Sequence, residues 1–156
     1  MNITVLAVGD KMPAYVDEAV AEYAKRFGRD VRFTLKEIKP EKRRTGVSAE
    51  QGMSAEEKRL REAIPQGALL IILDEHGKNI TSTELSSRLD EWMRNAVNPC
   101  FIIGGADGIA PSLKKDADLS LRLSDLTLPH GIVRVLLTEQ LYRAWSILHN
   151  HPYHRE

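Results

Sequence analysis

Three stretches of the chain gather residue types able to do chemistry. Gly104, Gly105 and Gly108 follow directly on the apolar run Phe101 to Ile103. Without side chains, the backbone there can approach a ligand closely and take conformations closed to other residues. The spacing is not G-x-G-x-x-G and no Walker A lysine accompanies it, so the loop does not read as a phosphate cradle. Ser124 to Leu128 (SDLTL) supplies apolar side chains beside backbone donors and acceptors, a set suited to holding an adenine by its edge. This second loop argues for a neutral or cationic nucleoside ligand. The third stretch is the C-terminus from His149, crowded with histidine, tyrosine and arginine.

Metal and nucleophile chemistries fit less well. Asp74, Glu75 and His76 are consecutive, so their side chains diverge, and His149, His151 and His154 lack the supporting carboxylates of a zinc site. No G-x-S-x-G elbow is present. The single cysteine, Cys100, cannot form an internal disulfide and reads as a buried, inert thiol suited to a reducing compartment.

The elements that must position these loops alternate along the chain. Ile3 to Val8 and Ala68 to Leu73 are continuous apolar runs, as strands buried on both faces are, and Phe101 to Ile103 is a third. Val31, Phe33 and Leu35 alternate with polar residues, which predicts a half-exposed edge strand to about Ile38. Leu119, Leu121 and Leu123 give a last short strand. Helices are predicted from Pro13 to about Phe27 and from Ser48 or Ser54 to Ile64. Further helices are predicted from the Thr81/Glu84 capping box to about Ala96, as a short piece after Pro111, and from about Gly131 to Leu148. In the last helix Val133, Leu136, Leu137, Leu141, Ala144, Trp145 and Leu148 share one face, while Ile132, Val135, Tyr142 and Ile147 widen it. That helix is therefore expected to pack on two sides, against its own sheet and against a second subunit. The pattern predicts an α/β fold with a mostly parallel sheet and helices on both faces. Ligands in such sheets bind outside the carboxyl ends of the strands, where Asp74–Gly77, Gly104–Gly108 and Ser124–Gly131 fall.

Composition narrows the classes. A chain of 156 residues with 42% hydrophobic content can bury one core, so a single domain spanning 1–156 is expected. No apolar run approaches the roughly 20 residues that cross a bilayer, and the N-terminus lacks the layout of a signal peptide, so a soluble cytoplasmic protein is expected. With 22 basic and 22 acidic residues the chain is neutral overall, yet Lys36, Lys39, Lys42, Arg43 and Arg44 cluster, and such a patch could meet phosphates.

LPHGIVRVLLTEQLYRAW with the terminal NHPYHRE, the early AVGDKMPAYVDEAVAEYAKR, LDEHGK and IIGGADG together resemble the bacterial large-subunit rRNA pseudouridine N3-methyltransferases of the SPOUT superfamily, over essentially the whole chain. The resemblance implies a homodimer with a C-terminal trefoil knot, S-adenosyl-L-methionine as methyl donor, the ribosome and its 23S rRNA as partner, and neither metal nor membrane. By position, the cofactor-binding residues would be Leu73, Gly104, Gly105, Leu123, Ser124, Asp125, Leu126, Thr127 and Leu128. Where the family usually has Gly-Gly-Pro-Glu-Gly, this chain has Gly104, Gly105, Ala106, Asp107 and Gly108; the carboxylate is kept and a stiffening proline is lost.

Methyl transfer to a pseudouridine N3 needs that nitrogen to lose its proton, by a general base or by stabilisation of the developing anion. On the resemblance, the candidates are His154 or Tyr153 for the proton and Arg155 for charge stabilisation or phosphate contact. His130 is a further candidate at the loop. These groups reach the site either along their own chain or from the partner subunit. Glu139 and Arg143, at i,i+4, read as a structural pair. The runner-up class is a non-catalytic ribosome- or RNA-binding module with the same fold, set apart by RNA binding without cofactor affinity.

Overall fold

Alternating buried strands and amphipathic helices form one five-stranded sheet covered on both faces. The computed structural model describes residues 1–42 and 44–154; Arg43, Arg155 and Glu156 lie outside the described residues. The strands are β1 (Asn2–Val8), β2 (Arg32–Ile38), β3 (Leu69–Asn79), β4 (Pro99–Ile103) and β5 (Leu119–Arg122). The helices are α1 (Ala14–Ala24), α2 (Ala49–Ala63), α3 (Ser82–Arg94), α4 (Pro111–Asp116) and α5 (His130–Leu148). Strand order is β2-β1-β4-β3-β5, and every neighbouring pair is parallel, so the expected mostly parallel sheet is parallel throughout.

Strand periodicity divides the core into two layers. Ile3, Val5 and Ala7 with Ile71, Phe101 and Ile103 face Leu85, Leu89 and Trp92 of α3 and Leu137, Leu141 and Trp145 of α5. Leu6, Val8, Leu70, Ile72, Cys100 and Ile102 face the opposite way, onto Leu60 of α2 and Leu113 of α4. β2 is one of the two edge strands, bonded only to β1, which accounts for its half-exposed alternation.

The local signals at the helix starts held. Ser48 and Gln51 form a reciprocal capping box, which selects the earlier of the two possible starts for α2, and Thr81 with Glu84 forms another for α3. Two boundaries differ from the sequence reading. α1 stops at Ala24 rather than near Phe27, because the turn tightens there, with Arg26 N–H donating to the Tyr23 carbonyl. Phe27 is thereby released to pack on Phe33, Tyr142 and Trp145. Asp74 to Gly77 is not a loop after β3 but an outward excursion within it, since Leu73 and Lys78 both pair with Leu121. Gly77 is required at that point. A Cβ there would lie 2.7–2.8 Å from backbone atoms of Leu121, a clash that no side-chain rotation relieves.

α5 runs against the strand direction and packs between α1 and α3. Its first turns sit at the carboxyl edge, where Arg134, only 1% exposed, donates to Glu37 at 2.7 Å and to the Gly9 carbonyl at 3.2 Å. Its last turns sit at the amino edge, where the Trp145 indole donates to Asp30 at 3.0 Å. Ile132, Val135, Leu136 and Ile147 stay half-buried in the isolated chain.

Candidate functional site

The carboxyl ends of β3, β4 and β5 converge on one cleft of about 620 Å³, within the usual size range for a small-molecule site. β4 runs straight into Gly104 and Gly105. A Cβ on Gly104 would lie 2.7 Å from the Ile109 side chain and 3.0 Å from the Gly108 backbone; one on Gly105 would press on Val8 and Glu56 at 3.0 Å. The Gly108 N–H donates to the Gly105 carbonyl, and Gly108 sits at φ +85°, so the turn needs glycine at its close as well as at its start. β3 supplies Leu73 and the Asp74–His76 excursion, β5 supplies Leu121 to Leu123, and the connection to α5 supplies Ser124 to Leu128. His130 and Val133 of the first turn of α5 complete the wall.

The charges suit a cationic ligand better than an anionic one. Both the lysine and the arginine that line the cleft already carry acidic partners: Lys114 contacts Asp74 at 3.3 Å and Arg122 contacts Asp125 at 3.0 Å. Glu75 adds a further carboxylate to the same wall. A cradle of side-chain-free backbone, apolar walls and acidic rims fits S-adenosylmethionine, whose adenine needs an edge contact and whose sulfonium is positive.

The structure brings together all the residues expected to bind cofactor: Leu73, Gly104, Gly105, Leu123, Ser124, Asp125, Leu126, Thr127 and Leu128 line the cleft. Two details depart from the reading. Ser124 Oγ accepts the Leu126 N–H at 2.9 Å, so that donor is already used, and the Leu126 side chain projects to solvent, 75% exposed. Lys114 and Arg122 are wall residues that sequence reasoning missed. The signal for Arg122 was its place at the end of β5 with an acid three residues on.

The catalytic candidates are separated. His130 lines the cleft; Tyr153 and His154 do not. The tail folds back along α5, where Tyr153 donates its hydroxyl to Glu139 at 2.9 Å and His154 Nδ1 lies 3.3 Å from Ser146 Oγ. At about 1.5 Å per residue, Glu139 stands roughly 13 Å and Ser146 roughly 24 Å along α5 from His130. Neither tail group reaches the cleft of its own chain. Arg155 lies outside the described residues. Burial, and after it the Glu139 hydrogen bond, pushes the Tyr153 phenol well above its ordinary range, which disfavours the phenolate a base would need. Tyr153 also rests on Tyr142 and under the Arg26 and Arg143 guanidinium groups, so the tail is docked rather than frayed. Arg143 bonds Glu139 twice, and because Glu139 also holds Tyr153, the expected structural pair is extended to the tail.

Other groups fall outside this site. Cys100 is fully buried on the α2/α4 face, and burial pushes its thiol up to about 12. His149 stacks on Trp145 while contacting Asp30 at 2.8 Å.

A parallel α/β sheet with a nucleoside-sized cleft at its carboxyl edge, closed by a glycine turn and by the loop that enters the last helix, defines a ligand-binding enzyme class. Comparison with known proteins makes the class specific. Residues 1–154 match the family model described as predicted SPOUT methyltransferase. A protein of Neisseria meningitidis serogroup C named ribosomal RNA large subunit methyltransferase H is 71% identical, and one of the same name from Chromobacterium violaceum is 61% identical; each comparison covers all of both chains. Among solved structures, a probable methylase family protein from Haemophilus influenzae Rd KW20 shares the fold with a TM-score of 0.55 at 15% identity, over 95% of this chain and 66% of that one. The chain belongs to the SPOUT methyltransferase family.

Proposed function

We propose that this protein is a ribosomal RNA methyltransferase that uses S-adenosyl-L-methionine to methylate N3 of a pseudouridine in 23S rRNA on the assembled ribosome. The observation that carries the reading is the convergence of Leu73, the Gly104–Gly105 backbone and Leu123–Leu128 on one cleft. Full-length identity to proteins named for large-subunit RNA methylation supports the substrate class. When bound, the cofactor supplies an electrophilic methyl group on a positively charged sulfur.

The chain's own residues have three tasks. The Gly104–Gly108 turn and the Ser124–Leu128 loop hold a nucleoside by backbone contact, and the acidic wall favours a positive ligand. The apolar walls exclude water, which leaves alignment of acceptor and methyl group as the main source of rate. The third task is to remove the N3 proton and stabilise the anion that forms. His154 suits the first of these steps and Arg155 the second, with His130 at the rim of the cleft. Tyr153 then serves as the post that docks the tail, through Glu139 and the stacked Tyr142.

Because Tyr153 and His154 lie far along α5 from their own cleft, the active form is a homodimer in which each tail serves the partner's cleft. The half-buried Ile132, Val135, Leu136 and Ile147 supply an apolar surface on α5 for that pairing. α5 leaves the β5 edge yet packs back between α1 and α3, a path in keeping with a C-terminal trefoil knot. One domain thus carries both cleft and tail. Among the described residues no helix is long and apolar enough to cross a membrane, consistent with work on cytoplasmic ribosomes.

The test is transfer of label from S-adenosylmethionine to assembled ribosomes lacking the modification, with the nucleotide mapped by mass spectrometry. Label on a large-subunit pseudouridine is expected. Ribosome binding without cofactor binding would instead establish a non-catalytic module.

A further inference from the structure

We infer that the uncovered face of β2, together with the segment that follows it, is the surface on which the substrate RNA backbone runs, contacted by Arg32, Lys36, Lys39, Lys42 and Arg44. The inference rests on the RNA methyltransferase reading and names the surface that reading leaves open.

Strand alternation puts Arg32, Thr34 and Lys36 on one face of the edge strand, all three exposed, while Phe33 and Leu35 turn the other way into the core. At about 3.3 Å per residue the two cations stand roughly 13 Å apart along the strand. Lys39, Lys42 and Arg44 continue the line beyond it, each exposed. What distinguishes the strip is the state of its acids. Asp30 is taken by Trp145 and His149, Glu37 points to the opposite face and binds Arg134, and Glu41 binds Arg59 at 2.6 Å. Every carboxylate between residues 30 and 44 is therefore engaged by a group outside the strip, and the five cations have no ion-pair partner among the described residues. Several basic side chains elsewhere are neutralised locally, as Arg61 is by Glu57 and Asp116 and Arg94 is by Asp90, and those without an ion pair among the described residues, such as Lys11, Lys58 and Arg88, are scattered along the chain rather than lined up. In a chain of zero net charge, this is a deliberate separation of sign.

The segment is also held in shape. Arg59 donates to the Lys39 carbonyl, Glu56 accepts the Glu41 N–H, and the Ser48 capping box fixes the entry to α2. Backbone anchored at Lys39, Glu41 and Ser48 loses less freedom when the segment binds a polyanion. Glu37 and its buried partner Arg134 tie this strip to the first turns of α5, so its end from Lys36 to Arg44 lies toward the carboxyl edge of the sheet, the edge that holds the cleft, while Arg32 lies at the amino edge. The bland alternative is that lysine and arginine on an edge strand block strand-to-strand aggregation. It accounts for Arg32 and Lys36 but not for Lys39, Lys42 and Arg44, which lie past the strand end. No aromatic anchor stands among the five, as a protein partner would usually require.

The test uses the full chain carrying Lys39→Gln, Lys42→Gln and Arg44→Gln, which lie outside the strand and leave folding unperturbed, and then the five-fold variant adding Arg32→Gln and Lys36→Gln. Affinity for deproteinised large-subunit rRNA and for assembled ribosomes is measured over a salt series, beside cofactor binding and thermal melting. The slope of log K against log salt should fall by about 0.7 for each contact removed to single-stranded RNA, and affinity near 0.1 M salt at least roughly ten-fold, with cofactor affinity unchanged. Unchanged slope and affinity, with or without new aggregation, would overturn the assignment and leave edge protection as the role of the strip. Where bare RNA does not bind, the slope is read on ribosomes alone, and a slope there that does not fall in the five-fold variant would overturn the assignment in favour of a protein contact. Failure of the unsubstituted chain to bind either probe would remove the RNA methyltransferase reading itself.

Discussion

Mixing two inactive variants of this chain should restore methyl transfer, to about a quarter of the unsubstituted activity. Gly105→Val disables the cleft, because even a Cβ at that position meets Val8 and Glu56 at 3.0 Å and the turn must lift. Tyr153→Phe with His154→Ala disables the tail. The tail groups are anchored at Glu139 and Ser146, roughly 13 and 24 Å along α5 from His130, while proton transfer needs contact at about 3 Å. On the proposed dimer the tail acts on the partner's cleft, so each parent homodimer would contain two dead sites. In a mixed dimer one site combines both defects and the other combines both intact parts. Random reassortment makes about half of all dimers mixed, and half of their sites work, which yields the quarter. The assay is single-turnover transfer of labelled methyl to undermodified ribosomes after co-refolding, with native mass spectrometry to count mixed dimers. A mixture no more active than its parents, despite a full complement of mixed dimers, would refute trans action; a purely monomeric mass would refute the dimer.

Three further outcomes follow from the geometry. Ala96 closes α3 at φ +55°, so Ala96→Gly should raise stability by about 1 kcal/mol in denaturant melts by removing left-handed strain. Gly77→Ala sets a methyl group against the Leu121 backbone at 2.7–2.8 Å and should cost about 1–3 kcal/mol, with cofactor affinity by calorimetry falling in step because β5 leads into the cleft loop. The Cys100 thiol, pushed up to about 12 by burial, holds its proton longer in the folded than in the unfolded chain, where thiols titrate near about 8.5. That contribution is complete below pH ~8.5 and is lost as pH rises toward 12, so melts between pH 8 and 11 should show a steeper fall for the natural chain than for Cys100→Ala.

Much of the fold was legible because its causes are local. Apolar runs, the Ser48 and Thr81 capping boxes and the alternation in β2 each act over a few residues, and each produced the expected element. The cleft was legible for a related reason: in a parallel sheet, segments that follow strands collect at one edge, so Leu73, Gly104–Gly105 and Leu123–Leu128 had to be neighbours. Where the reading failed, a distant contact had intervened. Phe27 left α1 for partners on β2 and α5, and Asp74–Gly77 became an excursion because Leu121 of another strand pairs on both sides of it.

The sequence by itself thus determined the strands, the helix starts, the parallel class and the residues of the cleft, since backbone preference and hydrophobic period are written into short windows. Only the tertiary structure decided that the tail is fixed halfway down α5 and away from its own cleft, that Tyr153 is a half-buried donor, and that the acids between 30 and 44 are engaged by partners outside the basic strip while its cations stay in solvent. Those facts depend on partners tens of residues away in the chain, and no short window contains both members of such a pair.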